Sequence, residues 1–116
     1  MKALFILNDA PYGSERTYNG LRLAGALAKN PGNVVRVFLM GDAVVAGKSS
    51  QRPPSGFYNI GLMLERVLKS NGEVKLCGTC MDARGIAEDE IITSASRGTL
   101  DGLREWTEWA DQALVY

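Results

Sequence analysis

Five consecutive apolar residues, Ala3-Leu4-Phe5-Ile6-Leu7, constrain this chain more than any other feature. A strand with one wet face alternates apolar and polar residues. An unbroken run reads as a strand buried on both faces, which requires a sheet covered above and below. The signature returns from Val34 to Met40, broken only by Arg36. Between the two runs, Asn8-Asp9-Ala10-Pro11-Tyr12-Gly13 is turn material and Ser14 is a natural helix N-cap, with Glu15 at the positive end of the helix dipole. The helix is predicted to run to about Lys29, where Asn30-Pro31-Gly32 stops it.

The rest of the chain continues the alternation. Ile60, Met63, Leu64, Val67 and Leu68 keep the spacing of an amphipathic helix, and Asn71-Gly72 ends it. Val74 to Cys77 reads as a third strand, and Ile91-Ile92 as a short fourth strand or a turn of helix. Thr99 caps a last helix with Leu100, Leu103, Trp106 and Ala110 inward, and Ala113 to Tyr116 makes a final strand. Helices between strands imply a mainly parallel sheet of about five strands in a three-layer α/β/α sandwich. At 116 residues this is one domain, spanning 1–116. Residues 47–56 carry a lysine, an arginine, prolines and small residues without apolar periodicity. Such a long loop is expected to touch a neighbouring subunit or to lie over the site.

Composition closes several routes. Thirteen basic and thirteen acidic residues give no net charge, so the basic footprint of a nucleic-acid binder is missing. The first half is mildly basic and the second mildly acidic, which together with zero net charge favours self-association. There is no histidine, hence no Ser-His-Asp triad, no Cys-His dyad and no histidine-ligated metal. The apolar opening is too short for a signal sequence, and no run approaches a membrane span. Two cysteines separated by two residues are too close to staple a secreted domain, so a cytoplasmic location is expected. No metal and no cofactor is expected.

In parallel sheets ligands bind outside the carboxyl ends of the strands. Here those ends carry Asn8–Gly13, Gly41-Asp42 and Cys77–Arg84, which topology brings to one edge. Gly41 to Ser49 resembles a phosphate loop but has five residues between its glycines instead of four, with Asp42 where phosphate would come. Cys77-Gly78-Thr79-Cys80 is the chemical centre. Two buried structural cysteines, half of a zinc site shared between subunits, a thioredoxin-like pair and a sulfur nucleophile are the competing readings. Zinc lacks ligands, and every proline precedes Cys77, which disfavours a thioredoxin fold. Cys77, ending a strand before a helix start, with Arg84 seven residues on, suits a thiolate for redox or sulfur transfer. The Cys77 sulfur is expected near Asn8–Ser14 and ahead of Cys80 in reactivity. Asp9 and Asp42 read as a turn former and a cap, while Tyr12 and Tyr58 suit the cysteine pocket or a subunit contact.

Four segments carry a family resemblance: Ala10-Pro-Tyr-Gly-Ser-Glu15, Phe38-Leu-Met-Gly-Asp-Ala-Val44, Gly56-Phe-Tyr-Asn-Ile60 and Leu76-Cys-Gly-Thr-Cys-Met-Asp-Ala-Arg-Gly-Ile86. Gly98-Thr-Leu100 and Ala110-Asp111 continue it. Over essentially its whole length the chain resembles the DsrE/DsrF-like family, in its YchN-like branch. The resemblance implies a flavodoxin-like fold assembled into homotrimers or homohexamers, and intracellular sulfur handling with a persulfide on Cys77. Donor and acceptor proteins would exchange that sulfur. Cys80 departs from the many sulfur-carrying members that have only the first cysteine.

Overall fold

The structure, a computed structural model, describes residues 1–116. Five strands, β1 (Lys2–Leu7), β2 (Val34–Leu39), β3 (Glu73–Cys77), β4 (Ser96–Gly98) and β5 (Gln112–Val115), form one sheet in the order β4-β3-β2-β1-β5. Every pairing is parallel. Four α-helices, α1 (Arg16–Ala28), α2 (Ile60–Lys69), α3 (Gly78–Ala83) and α4 (Leu100–Trp109), fill the connections. No helix is long and apolar enough to cross a membrane.

The pleat explains why the strand sequences look as they do. Ala3, Phe5 and Leu7 of β1, Val35, Val37 and Leu39 of β2, and Val74 and Leu76 of β3 point to one face. There they meet Leu21 and Ala24 of α1, and Ile60, Leu64 and Val67 of α2. Leu4 and Phe38 point the other way and meet Leu103 and Trp106 of α4. The unbroken apolar run of β1 is therefore what a strand inside a three-layer α/β/α sandwich requires.

Local signals set most boundaries. The Asn59 side chain caps α2 by accepting from Leu62 N (3.1 Å), and Thr99 caps α4 by accepting from Gly102 N (3.0 Å). Asn71, at φ +61°, turns the chain out of α2.

Several expectations need correction. α1 begins at Arg16, one residue later than a Ser14 cap requires. Ser14 Oγ still accepts from Arg16 N (3.3 Å), but its hydroxyl is donated to Asp9 (2.8 Å), which holds it in the preceding turn. The fourth strand lies at Ser96–Gly98 and not at Ile91-Ile92. Ile92 is buried in the core, and Ile91 makes only an isolated antiparallel bridge to Lys48. Leu100, expected inward, is 76% exposed, because α4 starts beside an edge strand of three residues ending in Gly98. Gly41–Gly47 is a 3-10 helix burying Ala43, Val44 and Ala46, so this segment cradles no phosphate.

Candidate functional site

β3, β2 and β1 lie side by side, so their carboxyl ends share one edge. Backbone groups tie that edge together: Met40 N donates to Leu7 O (2.9 Å), and Gly41 N donates to Cys80 Sγ (3.2 Å). At the usual interstrand spacing the ends of β3 and β1 are about 10 Å apart. Cys77, the last residue of β3, thus ends on the same edge as Asn8–Ser14, as the topology requires.

Cys77 is also the N-cap of α3. Its Sγ accepts from Cys80 N (3.4 Å), lies 3.3 Å from the Thr79 hydroxyl, and accepts from the Cys80 thiol at 2.7 Å. Both cysteines are free and half-buried. Burial pushes the Cys77 thiol up, but hydrogen bonds from the side chains of Cys80 and Thr79 and from their amides outweigh it. The Cys77 thiol ends below its ordinary value. For Cys80 the balance reverses: burial and donation to Cys77 push it up, while the Gly41 amide opposes more weakly. The surroundings thus split two like thiols, Cys77 toward the anion and Cys80 toward the protonated form, and hold the sulfurs close enough for a disulfide once an oxidant removes two electrons.

α3 has six residues, too few to be stable by itself. Two arginine–carboxylate pairs hold it from opposite sides. Arg84 donates to Asp42 Oδ1 from Nε (3.1 Å) and Nη2 (2.9 Å), and to Cys80 O (3.1 Å). Arg84 therefore stands beside Cys80 with its charge committed to Asp42. On the other side Arg97 of β4 forks onto Asp82 at 2.8 and 2.7 Å. The Arg97 guanidinium also covers Gly78, where a Cβ would come within 2.6 Å of its Nε. Hydrogen bonding from Arg97 holds the Asp82 carboxyl below the usual range. Nothing in the sequence singled out Asp82 and Arg97. The available signal was Gly78, a glycine directly after a strand, a position that can mark close approach by another group.

The other expected residues form a second cluster along the edge. Asn8 donates to Tyr116 O from both its backbone N (2.8 Å) and its Nδ2 (3.2 Å). Asp9 accepts from Ser14 and pairs with Arg16 at 3.8 Å, and Gly13 takes φ +95°. The Tyr12 hydroxyl donates to Gln51 Oε1 (2.9 Å) and accepts from Ile60 N (3.2 Å). Gln51 in turn donates to Ala46 O and Lys48 O. The long loop is thereby fastened to the turn after β1. Tyr58 stacks between Tyr12 (5.8 Å) and Tyr18 (4.1 Å), on the α1–α2 side of the molecule. A groove of about 730 Å³ lies between those helices and includes neither cysteine. The cysteine site is an open edge, recognised by its chemistry and not by a cavity. No group of three or more Cys, Asp or Glu side chains is placed to hold a metal ion.

Comparison with known proteins agrees with this architecture. The model of the DsrE/DsrF-like family matches residues 1–116. Protein YchN of Escherichia coli strain K12 is 47% identical over 116 residues, covering 99% of this chain and 98% of that protein. Its crystal structure superposes with a TM-score of 0.94 at 46% identity, covering 100% of this chain and 99% of that one. The uncharacterized protein MK0008 of Methanopyrus kandleri is 35% identical over 96% of this chain and 90% of its own length. A Methanobacterium thermoautotrophicum protein of unknown function, MTH1491, shares the fold at a TM-score of 0.72 and 11% identity, covering 99% of this chain and 98% of that one. A whole-chain family match together with near-half identity to YchN makes this chain a member of the DsrE/DsrF-like family.

Proposed function

We propose that the protein handles sulfane sulfur, accepting or transferring it as a persulfide on Cys77. The observation that carries this reading is the Cys77 sulfur at the end of a rigid strand, receiving hydrogen bonds from the Cys80 thiol and amide with the Thr79 hydroxyl beside it. In the first step the Cys77 thiolate attacks the outer sulfur of a donor persulfide. A bond forms from Cys77 Sγ to that sulfur, the donor's S–S bond breaks, and the donor leaves as its thiolate. An acceptor thiolate then takes the outer sulfur and returns Cys77 to its thiolate. Alternatively Cys80 attacks Cys77 Sγ, forming the disulfide and expelling hydrosulfide.

The reading includes protein donors and acceptors, a cytoplasmic setting, and assembly into a homotrimer or homohexamer. It is supported by family membership, by balanced charge and by exposed apolar side chains such as Leu100, two residues beyond Gly98, which pairs with Cys77. The 2.7 Å contact between the thiols favours one second reading, thiol–disulfide oxidoreduction. A third, a non-enzymatic module binding a small anion at the same edge, would need neither thiol.

Intact mass after incubation with a persulfide donor, with and without reductant, separates these readings. One added sulfur, absent in Cys77→Ser, is the expected result. Loss of two hydrogens with no sulfur gained would favour oxidoreduction, and no change of either kind would favour the binding module.

A further inference from the structure

α1 and α2 each follow a strand and lead back across the same face, so they lie side by side with both N-termini at the cysteine edge. The groove between them, about 730 Å³, falls within the usual size of small-ligand clefts, about 300–1,000 Å³. Seven of its thirteen lining residues are hydrophobic and none is a carboxylate. Three are cations: Arg22, Lys29 and Arg66. None of the three has an acidic partner, whereas Arg16, Arg36, Arg84, Arg97 and Arg104 each do.

The floor of the groove is kept open by Gly25. Gly20, about one and a half turns earlier, is closely packed, because a Cβ there would come within 2.8 Å of Leu7 and 3.1 Å of the Tyr116 ring and one of them would have to shift. A Cβ on Gly25 would meet nothing within 4 Å. A glycine inside a helix costs about 1 kcal/mol relative to alanine, and no neighbour of Gly25 requires it. What it does is deepen a trough, beside Ala28, whose rim carries Phe57 (69% exposed) and Leu62 (49% exposed). From Tyr18 to Lys29 the trough is about 16 Å long at about 1.5 Å per residue. Its aromatic end lies near the start of α2, and its far end holds Arg66 in the last turn of α2 and Lys29 just past α1.

We propose that this groove binds a free amphipathic carboxylate, its hydrocarbon along the Gly25 trough and its head group on Arg66 and Lys29. The charge is all of one sign, so a cation is refused. The floor is apolar, so a small inorganic anion gains little. The groove is concave, so a single chain reaches its floor where a flat bilayer cannot. Two copies meeting groove to groove would set cations against cations.

Calorimetric titration of the full chain with dodecanoate, below its micelle concentration, tests this directly. One dodecanoate per chain is expected, with acetate and dodecyltrimethylammonium at least about tenfold weaker. Gly25→Leu, a change to a better helix former, should fill the trough and weaken dodecanoate about tenfold or more while leaving sulfur loading on Cys77 untouched. Arg66→Glu should weaken it similarly without altering the mass seen by light scattering. Absence of dodecanoate binding, equal affinity for the cationic amphiphile, or indifference to both substitutions would overturn the proposal. So would an assembly that falls apart in Arg66→Glu, since the groove would then be covered by another copy.

Discussion

The two faces of the sheet are built to different depths. On one, α1, α2, α3 and the 3-10 helix bury a continuous cluster of 19 residues. On the other, α4 alone covers a cluster of four, Leu4, Phe38, Leu103 and Trp106. The thick face holds the fold, and the thin face leaves Val115 at 66% and Leu100 at 76% exposed, with Ile6 and Met40 only half-buried. Cys77 packs against both clusters. It stands where the cover changes, anchored by the deep core and reached from the shallow side. A reactive sulfur needs both conditions: a fixed position and an approach.

The same substitution on each face measures this difference. Leu64→Ala, at a fully buried position of α2, should cost about 4 kcal/mol, whereas Leu103→Ala under α4 should cost about 2 kcal/mol. Urea midpoints at unchanged m-values give both numbers. Equal losses would mean that α4 contributes as much as the opposite layer. Gly78→Ala comes next, at about 1–2 kcal/mol, because its methyl group must displace the Arg97 guanidinium. Gly25→Ala, with an equally modest change in volume, should instead stabilise the protein by up to about 1 kcal/mol, since the new methyl meets only open space and alanine is the better helix former.

A smaller effect concerns the two thiols. Cys77 should be alkylated before Cys80 at neutral pH, with a midpoint below that of an ordinary thiol. The Cys80 thiol donates to Cys77 and so favours its ionised form. Cys80→Ala removes that donor, and the Cys77 midpoint should move upward, toward the ordinary value. A midpoint that stays put would mean that the amides and Thr79 suffice, and Cys80 would be left only its resolving role.

What the sequence made legible was the part that repeats. Apolar runs named β1 and β2, periodicity named α2, and parallel topology placed the ends of β1, β2 and β3 on one edge before any side chain was positioned. β4 escaped because Ser96-Arg97-Gly98 buries no apolar side chain and is a strand only through its backbone pairing with β3. Arg84 was visible because it is close to the cysteines in sequence. Arg97 lies 20 residues beyond Cys77 and reaches the site through β3–β4 pairing, where Leu76 stands opposite it. Long-range pairing of a short edge strand leaves no local pattern to read. Tyr58 shows the converse: it suited the cysteine pocket or a subunit contact, and its ring stacks on Tyr18 of α1, on the α1–α2 side of the sheet.

The smallest expected effect belongs to that missed pair. Asp82 is mostly in water and Arg97 partly so, so their attraction is screened, and Asp82→Asn should shift the urea midpoint only slightly at neutral pH. The sign with pH is fixed. Arg97 lowers the Asp82 pKa in the folded protein, so the pair's contribution is complete above the ordinary carboxylate value of about 3.9. It is lost as pH falls through the lower folded value. The gap between the protein and Asp82→Asn should therefore be widest at neutral pH and close in strong acid, and 1 M salt should narrow it at any pH. Arg97→Lys keeps the charge but not the planar fork over Gly78, so it should loosen α3 more than its charge alone predicts. A gap that persists in acid would show that replacing the carboxylate by an amide disturbs the packing of α3 itself. The two-sided clamp on the cysteine helix would then rest on shape at Asp82 and on charge only at the opposite pair, Asp42 with Arg84.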